Sequence, residues 1–143
     1  MQYNKETSIG YALTTTLNLL RKKFNKEIKK FDLSSEQYGV MKLVNEYQKL
    51  TPTQISEFLN RDKATITRII KSLENKKLIK KESINNRSFH ILLTEQGLKM
   101  LENADIIALK YHKKIFEEIG EDEILRTLET LKKIRNLFEK GNV

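Results

Sequence analysis

Residues 62–74 read Asp62-Lys63-Ala64-Thr65-Ile66-Thr67-Arg68-Ile69-Ile70-Lys71-Ser72-Leu73-Glu74, and their spacing decides how the chain folds. Ile66, Ile69, Ile70 and Leu73 recur at steps of three and four, the period of one helix face. Asp62 stands where an N-cap belongs, and the helix is expected to run to about Lys76. With that stripe turned to a core, Lys63, Ala64, Thr67, Arg68 and Lys71 share the opposite face. The face is narrow, basic and built of short side chains, which suits a DNA major groove, where close approach matters.

The charge follows the same segment. Between Arg61 and Arg87 stand nine basic and three acidic residues, so most of the chain's net +8 lies there. The protein prefers Lys to Arg, yet Arg61, Arg68 and Arg87 all fall in this stretch. The rigid fork of arginine binds phosphates and guanine edges in a bidentate way that lysine does not match. The bland alternative is a solvated basic face with no partner. A local imbalance that includes arginine favours nucleic acid.

Toward the N-terminus, Thr51-Pro52-Thr53-Gln54 is a capping box with proline at the first helical position. It opens a short helix to about Leu59, expected to bury Ile55, Phe58 and Leu59. Ser34-Ser35-Glu36-Gln37 repeats the device and opens a helix carrying Tyr38, Met41, Leu43 and Val44. Residues 5–30 read as a long helix with Ile9, Leu13, Leu17, Leu20, Phe24 and Ile28 in one stripe. Toward the C-terminus the period changes to two. Lys80-Lys81-Glu82 and Phe89-His90-Ile91-Leu92-Leu93 are expected strands of a hairpin. Asn85-Asn86 marks its tip, because asparagine tolerates positive φ, and the tip presents Arg87 to a minor groove. Thr94 caps a helix to about Ile119, Gly120 breaks it, and a last helix spans Asp122–Lys140 with Leu125, Leu128, Leu131, Ile134, Leu137 and Phe138. The first helix and the last two carry more apolar surface than a small core can cover. Each large side chain left exposed forgoes roughly 1.5–3 kcal/mol. A homodimer through these helices is expected, with a monomeric bundle as the alternative.

Other chemistry is poorly represented. The chain has no Cys, which removes disulfides, thiolate metal sites and thiol nucleophiles. His90 and His112 are its two histidines and form no helical ligand pair, so no metal site is expected. There is no glycine-rich phosphate loop and no Gly-x-Ser-x-Gly turn, so neither a cofactor nor catalysis is expected. No apolar run approaches the length of a membrane span, and a soluble, cytoplasmic protein is expected.

Several segments together resemble the MarR family of bacterial and archaeal transcription regulators. These are Leu33-Ser34-Ser35-Glu36-Gln37, Leu50-Thr51-Pro52-Thr53-Gln54-Ile55-Ser56, Thr65-Ile66-Thr67-Arg68-Ile69-Ile70-Lys71-Ser72-Leu73-Glu74, Asn85-Asn86-Arg87-Ser88 and Leu92-Leu93-Thr94-Glu95-Gln96-Gly97. The resemblance runs in order along essentially the whole chain. It departs in two places: Lys77 stands where the family often has Gly, and Asn85 where the wing usually carries Asp, a carboxylate that orients it.

The resemblance implies a mainly α fold with a small β-wing. A winged helix–turn–helix DNA-binding core would span 33–93 within a single domain 1–143, with dimerisation helices at 1–32 and 94–143. It implies a homodimeric repressor on double-stranded DNA, its two recognition helices entering successive major grooves of a pseudo-palindromic operator about 34–36 Å apart. By position, Lys63, Ala64, Thr65, Thr67, Arg68 and Lys71 would form the recognition helix face. Ser34, Thr51, Thr53, Arg61, Lys80 and Lys81 would meet the DNA backbone, and Asn85, Asn86, Arg87 and Ser88 the minor groove. Family repressors are commonly released by small aromatic or anionic effectors, and Tyr11, Tyr38, Met41 and Tyr111 would line such a pocket, or equally serve as core. Two other functions fit the basic surface: a sequence-tolerant architectural nucleic-acid binder, and a winged-helix protein-interaction module.

Overall fold

A computed structural model describes residues 1–139. Its elements in order are α1 (Ile9–Ile28), a 3-10 turn (Lys29–Phe31), α2 (Ser35–Tyr47), α3 (Pro52–Leu59), α4 (Lys63–Asn75), β1 (Ile79–Ser83), β2 (Phe89–Leu93), α5 (Glu95–Ile119) and α6 (Glu121–Glu139). The chain packs as two compact units, Met1–Ile107 and Ala108–Val143. The first takes in α1 and the opening turns of α5 as well as the stretch expected to form the core at 33–93.

The helix starts follow the local chemistry. Ser34 Oγ accepts from Gln37 N–H at 3.1 Å while Gln37 Oε1 accepts from Ser34 N–H at 3.1 Å, closing the capping box of α2. Thr51 and Gln54 do the same for α3, with Pro52 in its first turn. Helix α1 begins four residues later than expected, because Ser8, not the polar run before it, accepts from Tyr11 N–H at 3.1 Å. The expected end of the last helix at Lys140 lies outside the described residues.

Helix α4 ends in a Schellman motif. Lys77 is left-handed at φ 60°, Lys77 N–H donates to Glu74 O at 2.9 Å, and Leu78 N–H donates to Leu73 O at 3.0 Å. Lysine thus occupies the conformation that favours glycine, at a cost of about 1 kcal/mol. The turn sends the chain into β1, which pairs antiparallel with β2 from Ile79↔Leu93 to Ser83↔Phe89. Ile91 N–H also donates to Leu50 O at 2.8 Å, tying the hairpin to the start of the α3 segment.

The helix after the wing is locked to this corner. Thr94 N–H donates to Leu78 O at 3.0 Å, the Thr94 hydroxyl donates to Lys77 O at 2.7 Å, and Gly97 N–H donates to Thr94 Oγ1 at 2.9 Å. Gly97 lies so close to the Leu78 carbonyl that a Cβ there would stand 1.9 Å from its oxygen. Gly120, at φ 107°, ends α5 as expected.

Ile28, Val40, Met41, Ile55, Ile66, Leu73, Ile91, Leu101 and Ala104 are buried and form the core of the first unit. The whole expected stripe of α4 is buried. Two residues of α3 expected in the core are not buried: Leu59 is half-buried, and Phe58 is 54% exposed and lies against Tyr47, ring centroids 4.8 Å apart. Ser56 takes the buried place on that helix. No helix among the described residues is long and apolar enough to cross a membrane.

Candidate nucleic-acid interface

Burial of the Ile66–Leu73 stripe leaves Lys63, Ala64, Thr67, Arg68 and Lys71 exposed on the outer face of α4. The first turn of that helix is fixed by Asp62, which accepts from Thr65 N–H at 3.3 Å and from the Thr65 hydroxyl. These bonds, the hydroxyl's foremost, hold the Asp62 carboxyl below its ordinary range. Thr65, expected on the recognition face, is therefore half-buried and engaged in the cap.

The wing is ordered by asparagine in a way different from the one expected. Neither Asn85 nor Asn86 has a positive φ. Instead Asn85 Oδ1 accepts from Arg87 N–H at 2.8 Å and from Ser88 N–H at 3.0 Å, an Asx-type turn that needs only a side-chain carbonyl.

Three elements then converge. Thr51, Pro52 and Thr53 from the start of α3, Lys63 and Thr67 from α4, and Arg87, Ser88 and Phe89 from the wing line one open cleft of about 370 Å³. Its lining offers four hydroxyls and two cations and no carboxylate. The nearby Arg68 and Lys71 extend the same face, and neither has a carboxylate partner among the described residues. Unpaired cations beside hydroxyl donors are the groups a phosphate-bearing polymer meets.

Other residues expected on this surface are placed elsewhere. Ser34 lies at the far end of α4, since its capping partner Gln37 donates to Ser72 Oγ at 2.9 Å and accepts from Lys76 Nζ at 3.1 Å. The Arg61 side chain turns to α2 and meets Glu36 at 3.1 Å. Lys80 lines a separate cleft with Val44, Leu92 and Leu98. Lys81 is shared between Glu74 at 3.6 Å and the ring of Phe89 at 4.6 Å. A second basic stretch, Arg21 to Lys30 with six cations and one Glu, lies outside residues 61–87. It runs along the end of α1 and does not line the cleft.

Of the four residues expected around an effector, three lie in the first unit. Met41 is fully buried as core, and Tyr11 is about half exposed on α1. Tyr38 packs edge-on against Phe24 and donates its hydroxyl to Asp105 Oδ1, which also accepts from Lys42 Nζ at 3.0 Å. Burial first, then that bond, drives the Tyr38 phenol well above its ordinary pKa. Tyr111 lies in the second unit. Among the described residues no group of three or more His, Asp or Glu is placed to hold a metal ion.

A buried-face helix held against a hairpin, with a second short helix before it, defines a winged helix–turn–helix protein, the architecture of a class of transcription regulators. Residues 33–89 match the sequence profile of the MarR family. A helix–turn–helix-type transcriptional regulator of Bacillus cereus is 29% identical over 118 residues, 81% of this chain and 79% of the relative. The crystal structure of a MarR/EmrR family transcriptional regulator from Acinetobacter sp. ADP1 superposes with a TM-score of 0.85 at 28% identity, covering 96% of this chain and 99% of that one. Staphylococcus aureus MepR, solved as a DNA complex, shares the fold at a TM-score of 0.82 and 23% identity, over 92% and 98% of the two chains. Residues 33–89 thus carry a MarR-type segment, and over most of its length the chain is similar to helix–turn–helix-type transcriptional regulators.

Proposed function

We propose that the chain is a homodimeric repressor that binds a pseudo-palindromic DNA operator through the cleft and the outer face of α4. The observation that carries this reading is the convergence of Thr51, Thr53, Lys63, Thr67, Arg87 and Ser88 on one carboxylate-free surface. Arg68, Thr67 and Lys71 face base edges or the flanking phosphates, with Lys63 and Ala64 at the entry of the helix. Thr51 and Thr53 offer hydroxyls to phosphate, and Arg87 enters the adjoining minor groove, where negative potential is focused. The S. aureus MepR protein, of the same fold, has been solved with DNA, which supports the choice of partner.

Dimerisation is supported by the apolar side chains left bare on the terminal helices. Ile9, Leu13 and Leu17 of α1, and Leu125, Leu128 and Leu137 of α6, are all about half exposed. A second copy is the occupant that a closed two-fold assembly supplies. Hydroxyl-radical footprinting on DNA upstream of the protein's own gene tests the reading. Two protected segments about ten base pairs apart, each flanked by minor-groove protection, are expected. A single protected segment, or uniform protection without register, would contradict it.

A further inference from the structure

The turn between α3 and α4 has a fixed backbone and a side chain with a choice. Asn60 is left-handed at φ 49° and ends α3, Arg61 N–H donates to Ser56 O at 3.1 Å, and Ser56 Oγ donates to Arg61 O at 2.6 Å. Arg61 is thereby pinned two residues from Lys63 of the cleft, with a Cα separation of at most about 7 Å. Its guanidinium nonetheless points away from the cleft. Nη2 donates to Glu36 Oε1 at 3.1 Å, beside a small recess of about 90 Å³ shared with Arg21, Gly39, Ile66 and Ile69.

The pair is built to exchange. Its side chains are 37% and 40% exposed, and an ion pair so placed shifts an equilibrium by no more than about fivefold. A DNA phosphate offers the guanidinium fork the same two-oxygen geometry as a carboxylate. The cations that face the cleft have no such carboxylate among the described residues, so Arg61 is set apart from Lys63, Arg68, Lys71 and Arg87.

We propose that Glu36 is an internal stand-in for a DNA phosphate, holding Arg61 off the duplex and so limiting the affinity of the chain for DNA of any sequence. This rests on the DNA-binding reading above. With the carboxylate neutralised, Arg61 turns to the backbone, displaces one more counterion and steepens the salt dependence by about 0.9. Phosphate contacts carry no sequence information, so the gain falls on every duplex alike.

The test is a double-mutant cycle with the full chain on a random-sequence duplex, read by fluorescence anisotropy over a salt series. Glu36→Gln is expected to tighten binding about fivefold near physiological salt and to steepen the slope by about one. In an Arg61→Ala background the same substitution is expected to change neither. An unaltered affinity and slope for Glu36→Gln, or an equal gain in the Arg61→Ala background, would overturn the inference, the latter because it would mark a general effect of lost negative charge. If the parent chain binds no duplex at all, the DNA-binding reading itself falls. If the parent binds and Glu36→Gln is inert, this inference alone falls.

Discussion

Helices α4 and α6 carry apolar stripes of similar spacing and meet opposite fates. On α4, Ile66, Ile69, Ile70 and Leu73 are buried under α2 and α3, and the cations of the other face are left to solvent. On α6, Leu125, Leu128, Leu137 and Phe138 stay between 48% and 62% exposed, and none of its described residues is buried. The same periodicity therefore has two meanings. Where charge is confined to the opposite face and the stripe closes on the chain itself, the helix presents a functional surface. Where the stripe remains bare, a second chain is the cover we propose.

The sharpest way to break the comparison is truncation on each stripe. Leu73→Ala is expected to cost about 2–5 kcal/mol in urea unfolding, because the fully buried side chain leaves a cavity. Leu128→Glu is expected instead to act on assembly, shifting sedimentation equilibrium from two chains toward one. If Leu128→Glu leaves the sedimenting mass unchanged, the bare stripe is not an interface.

The glycines sharpen the point within one unit. Gly97→Ala forces a Cβ onto the Leu78 carbonyl and is expected to destabilise by about 1–3 kcal/mol or more. Gly39→Ala, inside α2 with nothing within 4 Å of the added atom, is expected to stabilise by up to about 1 kcal/mol. Thermal unfolding of the two variants checks both signs.

On the exposed face of α4, Arg68→Ala is expected to weaken operator binding by about 1–3 kcal/mol and to relax base preference, with little change in Tm. Competition titrations against single-base operator variants would show it, and retained preference would remove Arg68 from base readout. Arg87→Ala is expected to lower the salt slope by about one unit and to leave base preference largely intact. Lys77→Gly, which relieves the left-handed lysine after α4, is expected to add about 1 kcal/mol of stability.

What could be read in the residues was mostly local. The stripe of α4, the capping boxes at Ser34 and Thr51, the Thr94 cap and the Gly120 break each depend on partners within four positions, and all are present. Asn85 does stand at the hairpin tip, but its side chain rather than its φ makes the turn. The site was less legible where a side chain chooses a distant partner. Glu36 lies 25 positions from Arg61, and Ser72 lies 35 from Gln37, so no period or cap announces them. Phe58 followed the helical period yet stays exposed, because Ser56 fills the buried place by bonding to the Arg61 carbonyl. Met41 matched the profile of a pocket residue and of a core residue equally, and packing made it core.

The central claim is that the carboxylate-free face built from α3, α4 and the wing reads DNA sequence as part of a dimer. A fluorescence-anisotropy titration at near-physiological salt tests it most directly, comparing DNA from upstream of the protein's own gene with a shuffled duplex of equal composition. The expected result is a preference of about a thousandfold or more, saturating at two chains per duplex. Equal, salt-sensitive binding to both duplexes would contradict it and leave a sequence-tolerant binder using the same cations.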